Sequence, residues 1–302
     1  MQAAPRPARI SLPPFVVPLA GGGSLALGDR TLVMAVVNVT PDSFAERSPS
    51  IDPGRALAAA EAAAGQGADI LDLGAESTRP GSGGVTEEEE LRRLLPALRA
   101  IAPRVRLPVS VDTRKAAVAR AALAEGAGLV NDVSGLMYDP ALGGVVAAAG
   151  AGLVLMHTRG TPDQMYREAA YADPVAEVGR ELVEAMGRAE RAGVPREAIV
   201  LDPGIGFAKR AEHSYAVLAG LAGLAGLGRP LLVGPSRKSF LQAAIGERPP
   251  AERDWATAAA VTAAILGGAR VVRVHAVAEM LQVGRVADEI RRAGLRAGHP
   301  RP

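Results

Sequence analysis

The run LVMAVVNV, residues 32–39, decides how the rest of the chain is read. It is apolar and β-branched, and it lacks the polar–apolar alternation of a strand with one wet face. Such a run belongs to a strand covered on both sides, as in a parallel sheet. A polar residue, Asn38, stands near its end. Seven more runs of the same kind follow: DILDLG (69–74), PVSVD (108–112), GLVNDV (128–133), GLVLMH (152–157), AIVLDPG (198–204), PLLVGPS (230–236) and RVVRVH (270–275). Ala- and Leu-rich amphipathic stretches separate them. Helix starts are marked by Asp52-Pro53, Asp139-Pro140 and Asp173-Pro174, a capping Asp before a Pro at the first helical position. Thr86 with Glu89 reads as a capping box, and Gly193 and Gly228 stand where helices should stop.

Eight strand–helix units in one chain predict an α/β protein with a closed (β/α)8 TIM barrel. The barrel is expected over residues 31–295 as a single domain. Residues 1–30 form a short N-terminal extension, partly flexible, in which PPFVVPLAGGGSLALGDR suggests a hairpin over one end of the barrel. Residues 296–302 are a C-terminal tail. An open doubly wound sheet is the alternative, weakened because no GxGxxG opens the first helix.

Composition narrows the function classes. The chain has 302 residues, 48% of them hydrophobic but only 3% aromatic, so its core is aliphatic and a base-stacking surface is not available. Net charge is +2 with the two signs mixed, and no basic run tracks a phosphate backbone, which argues against a nucleic-acid partner. With no Cys, disulfides, thiolate metal sites and a Cys nucleophile are excluded. No segment reads as a signal sequence or a membrane span, so a cytoplasmic protein is expected.

Polar residues gather where the strands end. Asn38, Asp112, Asn131, Asp132, His157, Asp202, Arg273 and His275 close strands, and Ser236-Arg237-Lys238 follows the seventh. In a barrel these ends converge on the face that carries the active site. Any one of them would pass as a helix cap; polar groups at nearly every strand end would not. They also sort by chemistry. Asp112, Asn131 and Asp202 suit a flat heterocycle with amino and ring N–H donors, because a carboxylate accepts two parallel hydrogen bonds. Asn38, Thr78, Arg79, Arg273 and His275 offer donors for phosphate oxygens. The expected site is bipartite, a heterocycle pocket beside an anion pocket. His157 reads as a structural hydrogen bonder at least as readily as a catalyst, and His213 as a surface or capping residue. No HExxH or clustered His–carboxylate spacing suggests a tightly held zinc, which leaves a weakly held Mg²⁺ bound through substrate phosphates.

In order and at strand ends, NVTPDSF (38–44), GAESTRPGS (74–82), VDT (111–113), NDVSG (131–135), DPGIGFAK (202–209), SRKSF (236–240) and RVH (273–275) resemble the dihydropteroate synthases, a family of pterin-binding barrels. The resemblance covers roughly residues 32–290. It implies condensation of a dihydropterin diphosphate with p-aminobenzoate in a homodimer. The pterin would be held by Asp112, Asn131, Asp202 and Lys238. The diphosphate would meet Asn38, Thr78, Arg273 and His275, with Mg²⁺ near Asn38. Thr78, Pro80, Phe207, Lys238 and Ser239 would shape the p-aminobenzoate pocket, with Arg79 on the second loop. Lys238, Asp112, Asp202 and Arg273 would carry the chemistry. The chain departs from the family in Ala45-Glu46-Arg47-Ser48, where Asp and two Gly are usual, in Thr158-Arg159 after His157, and in Ala276 after RVH. Other readings that share the pterin residues are a homologue without synthase activity and a pterin-binding methyltransferase barrel, which has no need of SRKS. A Schiff-base role for Lys238 is a further alternative.

Of the 34 basic residues only Lys115, Lys209 and Lys238 are lysines, and they lie in the motif-like segments DTRK, GFAK and SRKS. A sequence that uses Arg wherever charge suffices keeps Lys where a compact ammonium is required. Lys238→Arg is therefore expected to lower kcat/KM at least about tenfold, or about 1.4 kcal/mol, with little change in melting temperature. Steady-state kinetics and thermal melts on one preparation check this.

Overall fold

The computed structural model describes residues 14–40, 52–76, 84–160 and 169–296. Strands β1 (Phe15–Pro18) and β2 (Ser24–Leu27) pair antiparallel as the expected hairpin. Eight parallel strands follow: β3 (Leu32–Asn38), β4 (Ile70–Gly74), β5 (Val109–Asp112), β6 (Leu129–Asp132), β7 (Gly152–Met156), β8 (Ile199–Asp202), β9 (Leu232–Val233) and β10 (Val271–Val274). Their order is β8-β7-β6-β5-β4-β3-β10-β9. Leu201 N–H donates to Pro230 O at 2.9 Å and Leu201 bridges Leu231, so β8 meets β9 and the sheet closes into a barrel. Every run read from the sequence as a strand contains one.

Among the described residues ten helices surround the barrel: α1 (Pro53–Gly65), α2 (Glu87–Ile101), α3 (Ala116–Ala124), α4 (Ala141–Ala149), α5 (Pro174–Arg191), α6 (Ala211–Ala219), α7 (Leu221–Ala225), α8 (Gln242–Ile245), α9 (Asp254–Leu266) and α10 (Val277–Arg296). Asp52 and Asp173 cap α1 and α5 through the N–H groups of the first turn, with Pro next in line. Asp139 does more than the sequence suggests: one oxygen takes Ala141 N–H of α4 at 3.0 Å and the other takes Ala116 N–H of α3 at 2.8 Å. Thr86 caps α2, but Glu89 turns its carboxylate to Arg92 and Arg93. No helix among the described residues is long and apolar enough to cross a membrane.

Strand alternation gives the barrel its vertical order. Residues pointing outward, such as Leu71, Leu73, Val111, Val130, Leu153 and Leu155, are buried under the helices. Met34, Ile70, Leu129, Val154, Val200, Leu232 and Val271 pack with Val17, Leu25 and Leu27 of the hairpin, which plugs the N-terminal end. Two residues further along four of these strands the apolar layer gives way to Asp72, Asn131, Asp202 and Arg273. The barrel is oily at one end and ionic at the other. Asp288 of α10 ties the start of β3 in place, accepting from Thr31 N and Thr31 Oγ1 at 2.8 Å each and from Arg291 Nη2 at 2.7 Å.

Candidate active site

At the ionic end, Arg273 of β10 reaches across the mouth. Its Nε donates to Asp72 Oδ2 at 2.6 Å and its Nη2 to Asp112 Oδ2 at 2.9 Å. Asn131 Nδ2 donates to the same Asp72 oxygen at 3.1 Å. Asp72, Asp112 and Asn131 are buried, yet Asp72 Oδ1, Asp112 Oδ1 and Asn131 Oδ1 have no hydrogen-bond partner. A buried acceptor without a donor costs roughly 1–3 kcal/mol, and a native site keeps such groups when a ligand supplies the donors. The sequence reading missed Asp72. A carboxylate in the middle of DILDLG, in register with inward Ile70, was the available signal.

Burial raises the pKa of Asp112, an effect that Arg273 opposes and Asp72 reinforces. Burial likewise raises Asp202, against the pull of Lys238 and the Gly204 N–H, which Asp202 Oδ1 accepts at 2.7 Å. For Arg273, burial disfavours the charge but Asp72 and Asp112 outweigh it, and the guanidinium pKa is raised. The bipartite division is thus less clean than the sequence suggests. Arg273, expected among the phosphate donors, lies against the carboxylates of the heterocycle half.

Opposite stand Asp202, Phe207 and Lys238. Lys238 Nζ donates to Ile205 O and lies 4.2 Å from the centre of the Phe207 ring. Burial pulls its pKa down to about 8, with Asp202 holding it up. The loop that leaves β8 at Asp202 and carries Phe207 is fixed from beneath. Gly204 adopts φ +66, and a Cβ there would fall 1.9 Å from the His157 carbonyl oxygen. Lys209 is buried, and its Nζ meets Gly204 O at 3.1 Å, Phe207 O at 3.1 Å and His157 Nδ1 at 2.8 Å, one acceptor for each ammonium hydrogen. Burial drives its pKa well below the usual lysine value. Burial and the charge of Lys209 push His157 down to about 4, so the ring is neutral and Nε2–H serves Glu181 at 2.9 Å. His157 is therefore a structural post. Arg159 extends that post to Glu177 and the Ala170 carbonyl.

On the rim, Ser236 Oγ accepts the His275 backbone N–H at 3.2 Å and lies 3.0 Å from its Nδ1, which fixes the ring. Asn38 ends β3, half-buried, opposite Gly74 of β4. Ser239 is exposed at the start of a 3-10 turn. Thr78, Arg79 and Pro80, and the altered residues Ala45 to Ser48, lie outside the described residues. Glu76, at the base of the second loop and not singled out in the sequence, accepts from Arg114 at 2.8 Å and from Lys115, whose Nζ also reaches buried Glu90 of α2. His213, expected at the surface, is half-buried against the Tyr171 ring at 5.0 Å. Among the described residues no three His, Asp or Glu are grouped to hold a metal ion.

A closed parallel barrel whose C-terminal mouth presents buried acceptors, two cations and one aromatic ring defines an enzyme that binds a flat, donor-rich heterocycle. Residues 34–275 match the sequence pattern of the pterin binding enzymes. The dihydropteroate synthase of Synechocystis sp. is 43% identical over 277 residues, 91% of this chain and 96% of its own. The dihydropteroate synthase of Xanthomonas albilineans with 4-aminobenzoic acid superposes with TM-score 0.84 at 40% identity, covering 91% of this chain and 98% of the other. The same enzyme in complex with 7,8-dihydropteroate gives TM-score 0.81 at 38% identity, with the same coverage. The chain belongs to the pterin binding enzyme family, and within it to the dihydropteroate synthases.

Asp72 holds both Arg273 and Asn131. Asp72→Ala is expected to lower kcat/KM for the pterin substrate at least about tenfold, or about 1.4 kcal/mol, while the KM for the arylamine stays within about twofold. Kinetics with each substrate varied in turn would check it.

Proposed function

We propose that this chain condenses (7,8-dihydropterin-6-yl)methyl diphosphate with p-aminobenzoate, forming 7,8-dihydropteroate and diphosphate in folate synthesis. The observation that carries this reading is the set of buried acceptors without donors, Asp72 Oδ1, Asp112 Oδ1 and Asn131 Oδ1, at the barrel mouth. The amino and ring N–H groups of a dihydropterin are the donors that satisfy them. Asp202 accepts from another ring edge, and Lys238 donates to a ring carbonyl or nitrogen beside Phe207, against which the arene packs.

The chemistry is a substitution at the exocyclic methylene. The C–O bond to diphosphate breaks, and the electron-rich ring delocalises the positive charge left on the CH₂. The neutral aryl amine then adds its lone pair and loses a proton to water. The carboxylates of Asp72, Asp112 and Asp202 line the mouth and are the groups that would stabilise the developing cation. An aryl amine is already neutral at pH 7, so no strong base is required, in keeping with a site built of acceptors rather than a nucleophile–base pair.

On the anion side, Asn38, Thr78 and His275 are proposed to meet the diphosphate. Asn38 supplies a hard oxygen donor that fits a Mg²⁺ retaining water and held mainly through the diphosphate. When bound, the ion would neutralise charge on the departing oxygen. Sulfonamides, as aryl amine mimics, are proposed competitors for the arene pocket. A homodimer is proposed across α9 and α10, where Trp255 is 90% exposed and Val286, Ile290 and Leu266 are also bare. The proposed setting is the cytoplasm.

The test is incubation with the dihydropterin diphosphate, with and without p-aminobenzoate, following diphosphate and pteroate together. The expected result is one pteroate per diphosphate, dependent on the arylamine. Pterin binding with neither product would leave a silent homologue. Methyl transfer from a methylated pterin to a corrinoid would establish the methyltransferase reading instead.

A further inference from the structure

Arg237, between Ser236 and Lys238, is a non-glycine residue in the left-handed region, φ +59. A non-glycine residue holds that conformation only where its surroundings over-determine it. Here the surroundings are one helix start. Arg237 N–H donates to Thr257 Oγ1 at 3.0 Å, and Arg237 O accepts from Arg253 Nη1 at 2.9 Å. The guanidinium is bidentate on Asp254, Nε to Oδ1 at 2.8 Å and Nη2 to Oδ2 at 2.7 Å. Arg253 is itself anchored on Arg248 O. Residue 237 is thus gripped at its N–H, its carbonyl and its side chain by residues 253–257.

The neighbours of Arg237 face the mouth. Ser236 fixes His275. Lys238 turns its ammonium to Ile205 O and the Phe207 ring. Beyond it Phe240 and Leu241 are buried, with Phe240 edge-on to Tyr215 at 5.3 Å, so the far side of the turn is anchored as well. The backbone turn at residue 237 directs Lys238 toward the Ile205 carbonyl and the Phe207 ring. A bidentate pair is the strong form of such a contact, and Asp254 raises the guanidinium pKa through it.

We propose that Asp254 and Thr257 of α9 are positioning residues for the transfer reaction: by holding Arg237 in its left-handed turn they set where the Lys238 ammonium meets the pterin. This rests on the reading of Lys238 as a pterin-binding group. Neither residue touches the mouth, and α9 packs against α10 on the outside of the barrel. The site is consequently supported from the helix that carries Trp255, the most exposed large hydrophobic side chain of the described residues.

The test is a set of single and double variants read by calorimetric affinity for a pterin, by inhibition by diphosphate and by thermal melts. Asp254→Ala and Arg237→Met should each weaken pterin binding at least about fivefold and leave the inhibition constant of diphosphate within about twofold. Thr257→Val should do the same, and Thr257→Ser should restore binding. In a Lys238→Met background, Asp254→Ala should add less than about a twofold loss, because its effect runs through Lys238. Should Lys238→Met bind pterin as the parent does, the reading of Lys238 fails and the proposal with it. If Lys238→Met binds poorly but Asp254→Ala and Arg237→Met bind like the parent, only the positioning role is overturned. An equal Asp254→Ala loss in both backgrounds, or parallel losses for pterin and diphosphate, would also overturn it. Where Asp254→Ala melts too low to assay, Arg237→Met and Thr257→Val decide.

Discussion

The Arg273 guanidinium lying across Asp72 and Asp112 is the interaction on which the mouth of this barrel depends. Three carboxylates and an amide point into a space that the strands enclose, and isolated buried charges of that kind are not tolerated. Arg273 makes them tolerable by taking one oxygen of each of two carboxylates. It leaves the second oxygen of each without a donor. The arrangement holds the carboxylates in place and keeps part of their hydrogen-bonding capacity for a ligand, so the site is organised before the substrate arrives.

The other cations divide the remaining labour, and each is of the type its position requires. Lys209 and Lys115 are compact ammonium groups sealed beneath loops: Lys209 meets two carbonyls and a neutral imidazole, and Lys115 meets two glutamates. A guanidinium would not fit three convergent acceptors around one nitrogen. Arg237 and Arg159 hold carboxylates at the rim through planar forks or paired contacts. The scarcity of Lys in an Arg-rich chain therefore has a steric meaning at Lys209.

Most of the fold was legible because parallel strands covered on both faces write themselves as short apolar runs, and because Asp-Pro pairs announce helices. The strand-end residues were legible for the same reason, since the polar residue that breaks each run is the one at the mouth. What was not legible lies off those ends. Asp72 sits inside a strand and was read as part of the run. Glu76 was hidden beside the Ser-Thr-Arg motif that follows it. Asp254 and Thr257 act on the site through the backbone of Arg237, a tertiary contact that no local pattern encodes. That Arg273 lies across Asp72 and Asp112 also needed geometry, because sequence gives an arginine's location but not which way its fork turns. Thr78, Arg79 and Pro80, legible as a motif, lie outside the described residues.

The central claim is that the mouth is lined with buried acceptors waiting for heterocycle donors. Calorimetric comparison of a pterin with its analogue bearing a 2-oxo group in place of the 2-amino group tests it most directly. That exchange removes a donor and sets a carbonyl oxygen against carboxylates, and sites built around a hydrogen-bonding group reject its replacement strongly. The account predicts at least about a hundredfold weaker binding of the 2-oxo compound. Equal affinity for the two would contradict it.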